Sequence, residues 1–398
     1  MARAFLQVVV VAVTKFNRAC LSCGLLFVTQ AAFSIVLPED RADVLYHSYD
    51  GGGITVDGPS ILVRKSVADS VSVSTNYYVD SISSASVDVV ASGASRYAEE
   101  RTQISASIDY LHDSSIMSFA YSSSSENDYE AKTGNLSISQ ETFGGLTTVA
   151  ISYKFGDNTI LDSTRPAFKD TAQTKGYRVS LSQVLTKNII LASAYEVITD
   201  EGLLNNPYRA VRFLDSASSL GYSFEPEEYP RSRTSNAMGF NLRYYLPYRA
   251  SLSGGYRYYI DSWEIEASTY EFGYVHPLDE NWLFDFSLRF YSQTSASFYS
   301  DLFSGPEDSE VNDFRARDKE LSSYNSQSIG AGATYKLGRD QLMFFEKASI
   351  NLFLNYFVFE YDDFRDVPFG QVNNLQGGSE RLYELNAKVI RFYVSGWF

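Results

Sequence analysis

The sequence predicts an all-β fold, a transmembrane antiparallel up-and-down β-barrel of about sixteen strands with short periplasmic turns and long extracellular loops. Three observations carry this expectation. Apolar and polar residues alternate along many short segments, the connections between those segments alternate short and long, and the chain ends on an aromatic, Phe398, after an alternating run. Trp282 to Gln293 shows the alternation clearly: Trp282, Phe284, Phe286, Leu288 and Phe290 share one face, and Asp285, Ser287, Arg289 and Tyr291 the other. A period of two with one apolar face is a strand buried on one side.

Taken in order, the strands are expected near 43–49, 54–66, 70–82, 101–111, 115–124, 132–140, 147–156, 174–185, 189–200, 234–246, 249–262, 266–276, 282–293, 323–336, 347–361 and 382–398. Ala68-Asp69, His112-Asp113, Thr186-Lys187-Asn188, Pro247-Tyr248-Arg249 and Pro277 to Asn281 are tight turns. Long segments fall at 83–100, 157–173, 201–233, 294–322 and 362–381, and a periplasmic C-terminus puts all of these outside. Soluble sandwiches lack that asymmetry. Prolines 166, 207, 226, 230, 306 and 368 sit in long loops, and 247 and 277 in turns, where no ladder bond is lost. Pro59 alone falls inside a strand and marks an irregularity there.

In the last strand Ile390, Phe392, Val394 and Phe398 form one face, with Gly396 a gap; this is the pattern of a C-terminal assembly signal. Tyr383, Leu385, Ala387 and Val389 hold the opposite phase, which predicts a bulge near Val389-Ile390.

Composition narrows the class. The chain has 30 Tyr and 27 Phe, yet no stretch past residue 34 stays apolar for the roughly 18 residues of a membrane helix. A net charge of −15 argues against nucleic acid as a partner, since phosphate binding needs a basic surface. Residues 1–34 read as a signal peptide: Arg3, Lys15 and Arg18 flank an apolar core from Leu21 to Val28, and cleavage is expected after Ala31 or Ser34. The barrel then takes up 35–398. Cys20 and Cys23 lie in the leader, without further ligands and without a lipoprotein box, so the C-x-x-C spacing carries no chemistry.

Few side chains suggest catalysis. Of three histidines, His112 and His276 sit at tight turns and His47 has no evident partner in sequence, so no hydrolase triad is expected. Asp362, Asp363 and Asp366, or Asp301, Asp308 and Asp313, lack calcium-loop spacing and read as solvated acidic loops. Alternation points Arg243, Arg257, Asp261, Glu271, Asp285 and Arg289 into the lumen, because a mid-depth charge facing lipid costs about 2–4 kcal/mol. Such a strip either stiffens the wall through salt bridges or sets a field across a pore. A barrel of about sixteen strands can hold an aqueous channel unless a loop such as 201–233 or 294–322 folds into it.

Several segments together resemble a family of predicted outer-membrane proteins, domain-of-unknown-function family thirty-five seventy. They are Val79–Ser83, Ser92–Ser95, Glu99–Thr102, Leu181–Asn188, Thr199–Arg209, Tyr229–Ala237, Arg243–Pro247 and Ala316–Leu321. The resemblance runs from about residue 43 to the end and implies a barrel without an established activity. Many of these motifs lie at loop edges, so Asn205, Asn206, Tyr208 and Arg209 are expected to pack with Arg231 and Arg233 and shape the outer mouth. The function expected is a porin-like passive channel for small solutes, not an enzyme, with no cofactor; a loop-closed structural or partner-binding barrel without conductance is the alternative, and a membrane-embedded hydrolase a distant one. Expected partners are outer-membrane lipid and the outer-membrane assembly machinery, with homo-oligomerisation left open.

Overall fold

The computed structural model describes residues 35–84, 97–307, 314–338 and 344–398; the expected signal peptide with Cys20 and Cys23, and Asp308 and Asp313, lie outside these. Eighteen strands follow one another: β1 (Arg41–Gly51), β2 (Ile54–Ala68), β3 (Val71–Ser84), β4 (Tyr97–His112), β5 (Ser115–Ser125), β6 (Tyr129–Thr142), β7 (Thr147–Leu161), β8 (Lys169–Thr186), β9 (Ile189–Gly202), β10 (Ala210–Leu214), β11 (Tyr222–Pro226), β12 (Ser232–Tyr245), β13 (Ser251–Asp261), β14 (Glu266–Pro277), β15 (Trp282–Gln293), β16 (Tyr324–Leu337), β17 (Lys347–Arg365) and β18 (Leu382–Trp397). A short helix, α1 (Val367–Val372), and a 3-10 turn at Lys319–Leu321 lie in loops. Sixteen strands close into one antiparallel barrel, and β10 and β11 form a separate hairpin within the β9–β12 connection.

Closure is made by β1 against β18, from Arg41↔Trp397 to Gly51↔Ala387. A closed ladder has no edge and leaves no strand amide facing lipid, which the bilayer interior requires. The outward faces carry the apolar set: Phe272 is 53% exposed and Phe286 51%, a fraction no water-facing phenylalanine would favour and lipid would cover. Aromatics on this face meet across neighbouring strands, as with Trp282 against Tyr335 (4.8 Å) and Tyr256 against Tyr270 (4.9 Å). Tyrosine hydroxyls there find polar partners: Tyr258 donates to Glu266 and Tyr195 to Asn236. Rings against acyl chains and hydroxyls among headgroups make a membrane interface girdle.

The longest connections, 203–231, 294–323 and 366–381, all leave the rim opposite Phe398. The expected loop 157–173 shrinks to 162–168, because β7 and β8 remain paired out to Leu161↔Lys169. Pro59 leaves a gap in the β2–β3 ladder between Asp57↔Ser81 and Ser60↔Tyr78, as its missing donor requires.

The expected bulge at Val389-Ile390 is absent. Pairing of β17 with β18 runs unbroken from Lys347↔Trp397 to Glu360↔Glu384, and the irregularity falls beyond it, toward Arg365. What changes is the medium on each side. Below Lys388 the outward residues are Ile390, Phe392 and Val394; above it they are Lys388, Asn386 and Glu384, all exposed. Inward, Tyr383, Leu385, Ala387 and Val389 are buried with Tyr49, Ile54, Val56, Ile82, Phe357, Tyr361 and Phe364. β17 inverts at the same height, since Tyr356 pairs with Lys388 and Phe357 with Ala387. The wall here rises past the lipid and continues as an ordinary sheet, polar outside and dry inside.

Gly58 lies tight against β3: a Cβ there would lie 2.0 Å from the carbonyl oxygen of Val79. Gly58→Ala should therefore push the strands apart at a cost of about 1–3 kcal/mol, lowering the fraction of barrel that resists SDS without heating.

Candidate functional site

The lumen is built by period two alone. Because Leu242, Tyr244, Leu252, Tyr256, Phe272, Phe286 and Leu288 face outward and exposed, the intervening Arg243, Arg257, Asp261, Glu271, Asp285 and Arg289 all face inward. They do not form one ladder. Arg257 Nη2 lies 3.8 Å from Glu196 Oε2, with side chains 47% and 30% exposed. Arg289 Nε lies 3.7 Å from Glu271 Oε1. Asp261 belongs to the rim: it accepts from Arg233 Nε (2.8 Å), the Tyr259 hydroxyl (2.7 Å) and the backbone N–H of Trp263 (2.8 Å). These wall charges stay partly exposed on the inner face, whereas an ion held in a dry interior would cost several kcal/mol.

Above this wall the three long connections fold over the mouth into a cap. Arg212, at 0% exposure, reaches out of the β10–β11 hairpin to two other loops. Its Nη1 donates to Glu380 Oε1 at 2.5 Å, its Nη2 to Asp301 Oδ2 at 2.5 Å and its Nε to the Asp301 carbonyl at 2.9 Å. Burial alone would lower its pKa; the bond to Glu380 and the charge of Asp301 outweigh burial and raise it. Arg317 adds bonds to Asp301 and to the carbonyl of Arg365. Arg315 pairs with Glu225 at 3.0 Å. Under these ions lies an apolar cluster of Tyr229, Trp263, Ile265, Ala296, Ala316 and Leu321. Burial pushes the Tyr229 phenol well above its ordinary pKa, with Glu227 adding to the effect, so it stays a donor to Glu227 Oε2 (2.8 Å).

The loop-edge residues enter the cap in separate places. The Gly202 amide donates to the Arg231 carbonyl (2.8 Å), which brings the two ends of the 203–231 segment side by side. Asn205 Nδ2 donates to the carbonyl of Glu227, and Asn206 Oδ1 accepts from the amide of Tyr208. The side chains then diverge: the Tyr208 hydroxyl accepts from the amide of Ser163, Arg231 holds Asp170, Arg233 holds Asp261, and buried Arg209 pairs with Asp318. At the opposite end Ile390, Phe392 and Val394 face lipid, while Phe398 receives Lys65 over its ring at 4.8 Å.

His47 is not partnerless. It faces inward at 2% exposure, its Nε2 2.7 Å from Asp80 Oδ1, and stacks on Tyr78 at 4.8 Å. Asp80 Oδ2 also takes Arg101 at 2.7 Å. Residues 33 positions apart meet because β1 and β3 flank β2, a relation that no local motif records. Of the acidic loop residues, Asp301 serves arginines, Asp362 accepts from Asn325, and Asp366 caps α1 and pairs with Arg381. Among the described residues, the carboxylates close enough to share a metal ion are Glu99, Glu126 and Asp128, within 4.8 Å of one another.

Glu126 lies in the β5–β6 turn, and burial pushes its pKa from 4.5 to about 7; Arg101 opposes this, and Glu99 and Asp128 add to it. A carboxyl whose folded pKa is raised stabilises most below its unfolded value, and that contribution is lost as pH rises. Protection of the amides at 126–129, taken relative to unfolded-chain exchange at the same pH, should thus be greatest below about pH 4.5 and fall as pH rises to about 7; Glu126→Gln should flatten the dependence.

A family model described as a protein of unknown function (DUF3570) matches residues 158–376. No curated protein matches the chain. Among solved structures, a bacterial polysaccharide outer membrane secretin is 7% identical with a TM-score of 0.49, over 91% of this chain and 100% of that one. The siderophore receptor PirA from Acinetobacter baumannii is 9% identical, TM-score 0.44, over 88% of this chain and 57% of the receptor. CdiB from Acinetobacter baumannii is 13% identical, TM-score 0.35, over 90% and 60%. The chain thus spans little more than half the length of the latter two.

Proposed function

The chain belongs to the DUF3570 family of proteins of unknown function, and from that premise we propose that it is an outer-membrane conduit that lets small polar solutes pass passively. One observation carries this reading: half-exposed charged side chains such as Arg257 and Glu271, 47% and 50% exposed, line the inside of a closed barrel. Water must reach them, and a water-filled lumen of sixteen strands has the width for small solutes. The long loops face the cell exterior, and the cap narrows the outer mouth. The last strand serves as the signal for the assembly machinery.

Single-channel recording on the refolded protein tests the conduit: steady open current is expected, and a silent bilayer would discard it. The cap favours a second reading, a barrel shut by its loops that binds a partner, and that is the silent outcome. Removing Phe398 should separately cut assembly into membranes at least several-fold, measured as the fraction of SDS-resistant barrel.

A further inference from the structure

We propose that the lumen selects anions, and that a belt of arginines on one half of its wall does the selecting. The proposal rests on the conduit reading and names the class of solute.

The belt follows from register. Lys154 on β7 pairs across from Gly176, one inward position from Arg178 on β8. Arg178 pairs directly with Glu196 on β9. Glu196 faces Ala237 on β12, whereas Arg257 of β13 faces Gly239, again one inward position on. Arg257 faces Thr269, and the next inward residue of β14, Glu271, pairs directly with Arg289 of β15. Every offset runs the same way along the barrel. Tilted strands need such a drift to keep side chains at one height. The result is a band of four cations and two anions, on a chain whose net charge is −15.

The belt keeps an excess of positive charge even with its ion pairs counted: Arg257 lies 3.8 Å from Glu196 and Arg289 3.7 Å from Glu271, and these two carboxylates face four cations. Arg257 lies over Tyr259 at 5.7 Å and Arg289 over Tyr291 at 5.0 Å, so each guanidinium is oriented by a ring. Ala237 and Gly239 on β12 keep the wall between the two halves of the belt low. Acidic groups elsewhere in the wall are engaged: Asp80 by His47 and Arg101, Asp109 by Ser118, and Glu141 by the amide of Ile35. A planar guanidinium with several donors suits chloride, carboxylates and phosphate. Arg243 and Asp285, nearer the C-terminal end, carry opposite charges and leave the balance unchanged.

The test is the reversal potential of the open wild-type barrel in a steep KCl gradient. Its sign should show chloride passing more readily than potassium. Arg257→Gln with Arg289→Gln should lower that preference about two- to threefold, and the corresponding lysine variants should restore it. Lysine rescue separates charge from shape. Equal permeability, or a potassium preference, overturns the proposal while leaving the conduit intact; a preference unmoved by both glutamines removes the belt as its cause. A barrel that never conducts overturns the conduit and this proposal with it.

Discussion

Arg212→Ala should loosen the outer cap and destabilise the protein by about 3–5 kcal/mol, because it strands buried carboxylates without a counter-charge. Glu380, 1% exposed at its side chain, loses its cation, and Asp301, 10% exposed, loses one of two. The hairpin β10–β11 also loses its charged tie to the 366–381 segment and keeps only the bond that Gln371 Nε2 donates to the Tyr222 hydroxyl among those described. The expected results are cleavage of 203–231 by added protease on intact membranes, a lower urea midpoint, and longer or more frequent open events in bilayers. Arg212→Lys should recover only part of this, since one ammonium cannot reproduce the forked donation to two partners. Wild-type protease resistance in the alanine variant would remove Arg212 as the tie of the cap.

Phe364→Ala should cost a comparable amount, about 3–5 kcal/mol, by a different route. Its ring is 0% exposed and packs on Tyr361 (5.7 Å) and Tyr383 (5.7 Å), with Arg317 over its face at 4.5 Å. The cavity would open in the part of the wall that rises past the lipid, so insertion into membranes should survive. Unfolding by urea should split, with the upper wall melting before the lipid-embedded part; one unchanged transition would contradict this. Phe364→Leu should lie between the two.

The sixteen wall strands were legible because each needs only two faces in different media, and a period of two records that without reference to any partner. Loop asymmetry was legible for a similar reason: turns and loops differ in length. The last strand was misread where the media change. Tyr383, Leu385, Ala387 and Val389 look like a shifted register only if the outside is lipid all the way up, and Lys388, Asn386 and Glu384 on the other face were the available sign that it is not. The cap was scarcely legible. Arg212 and Glu380 stand 168 residues apart, and β10 and β11 have five residues each, too short to show a period. His47 and Asp80 likewise meet only once β2 is placed between β1 and β3.

The cap has a mechanical consequence. A ring of strands resists stretching well and flattening poorly, because every hydrogen bond runs along the hoop and none across it. Arg212 does run across: it joins a hairpin hung between β9 and β12 to Asp301, after β15, and to Glu380, before β18. Those joints act as spokes, holding the rim to a single cross-section. Cutting one spoke should let the ring turn oval, so that the spacing between opposite walls would change even where no side chain had been touched.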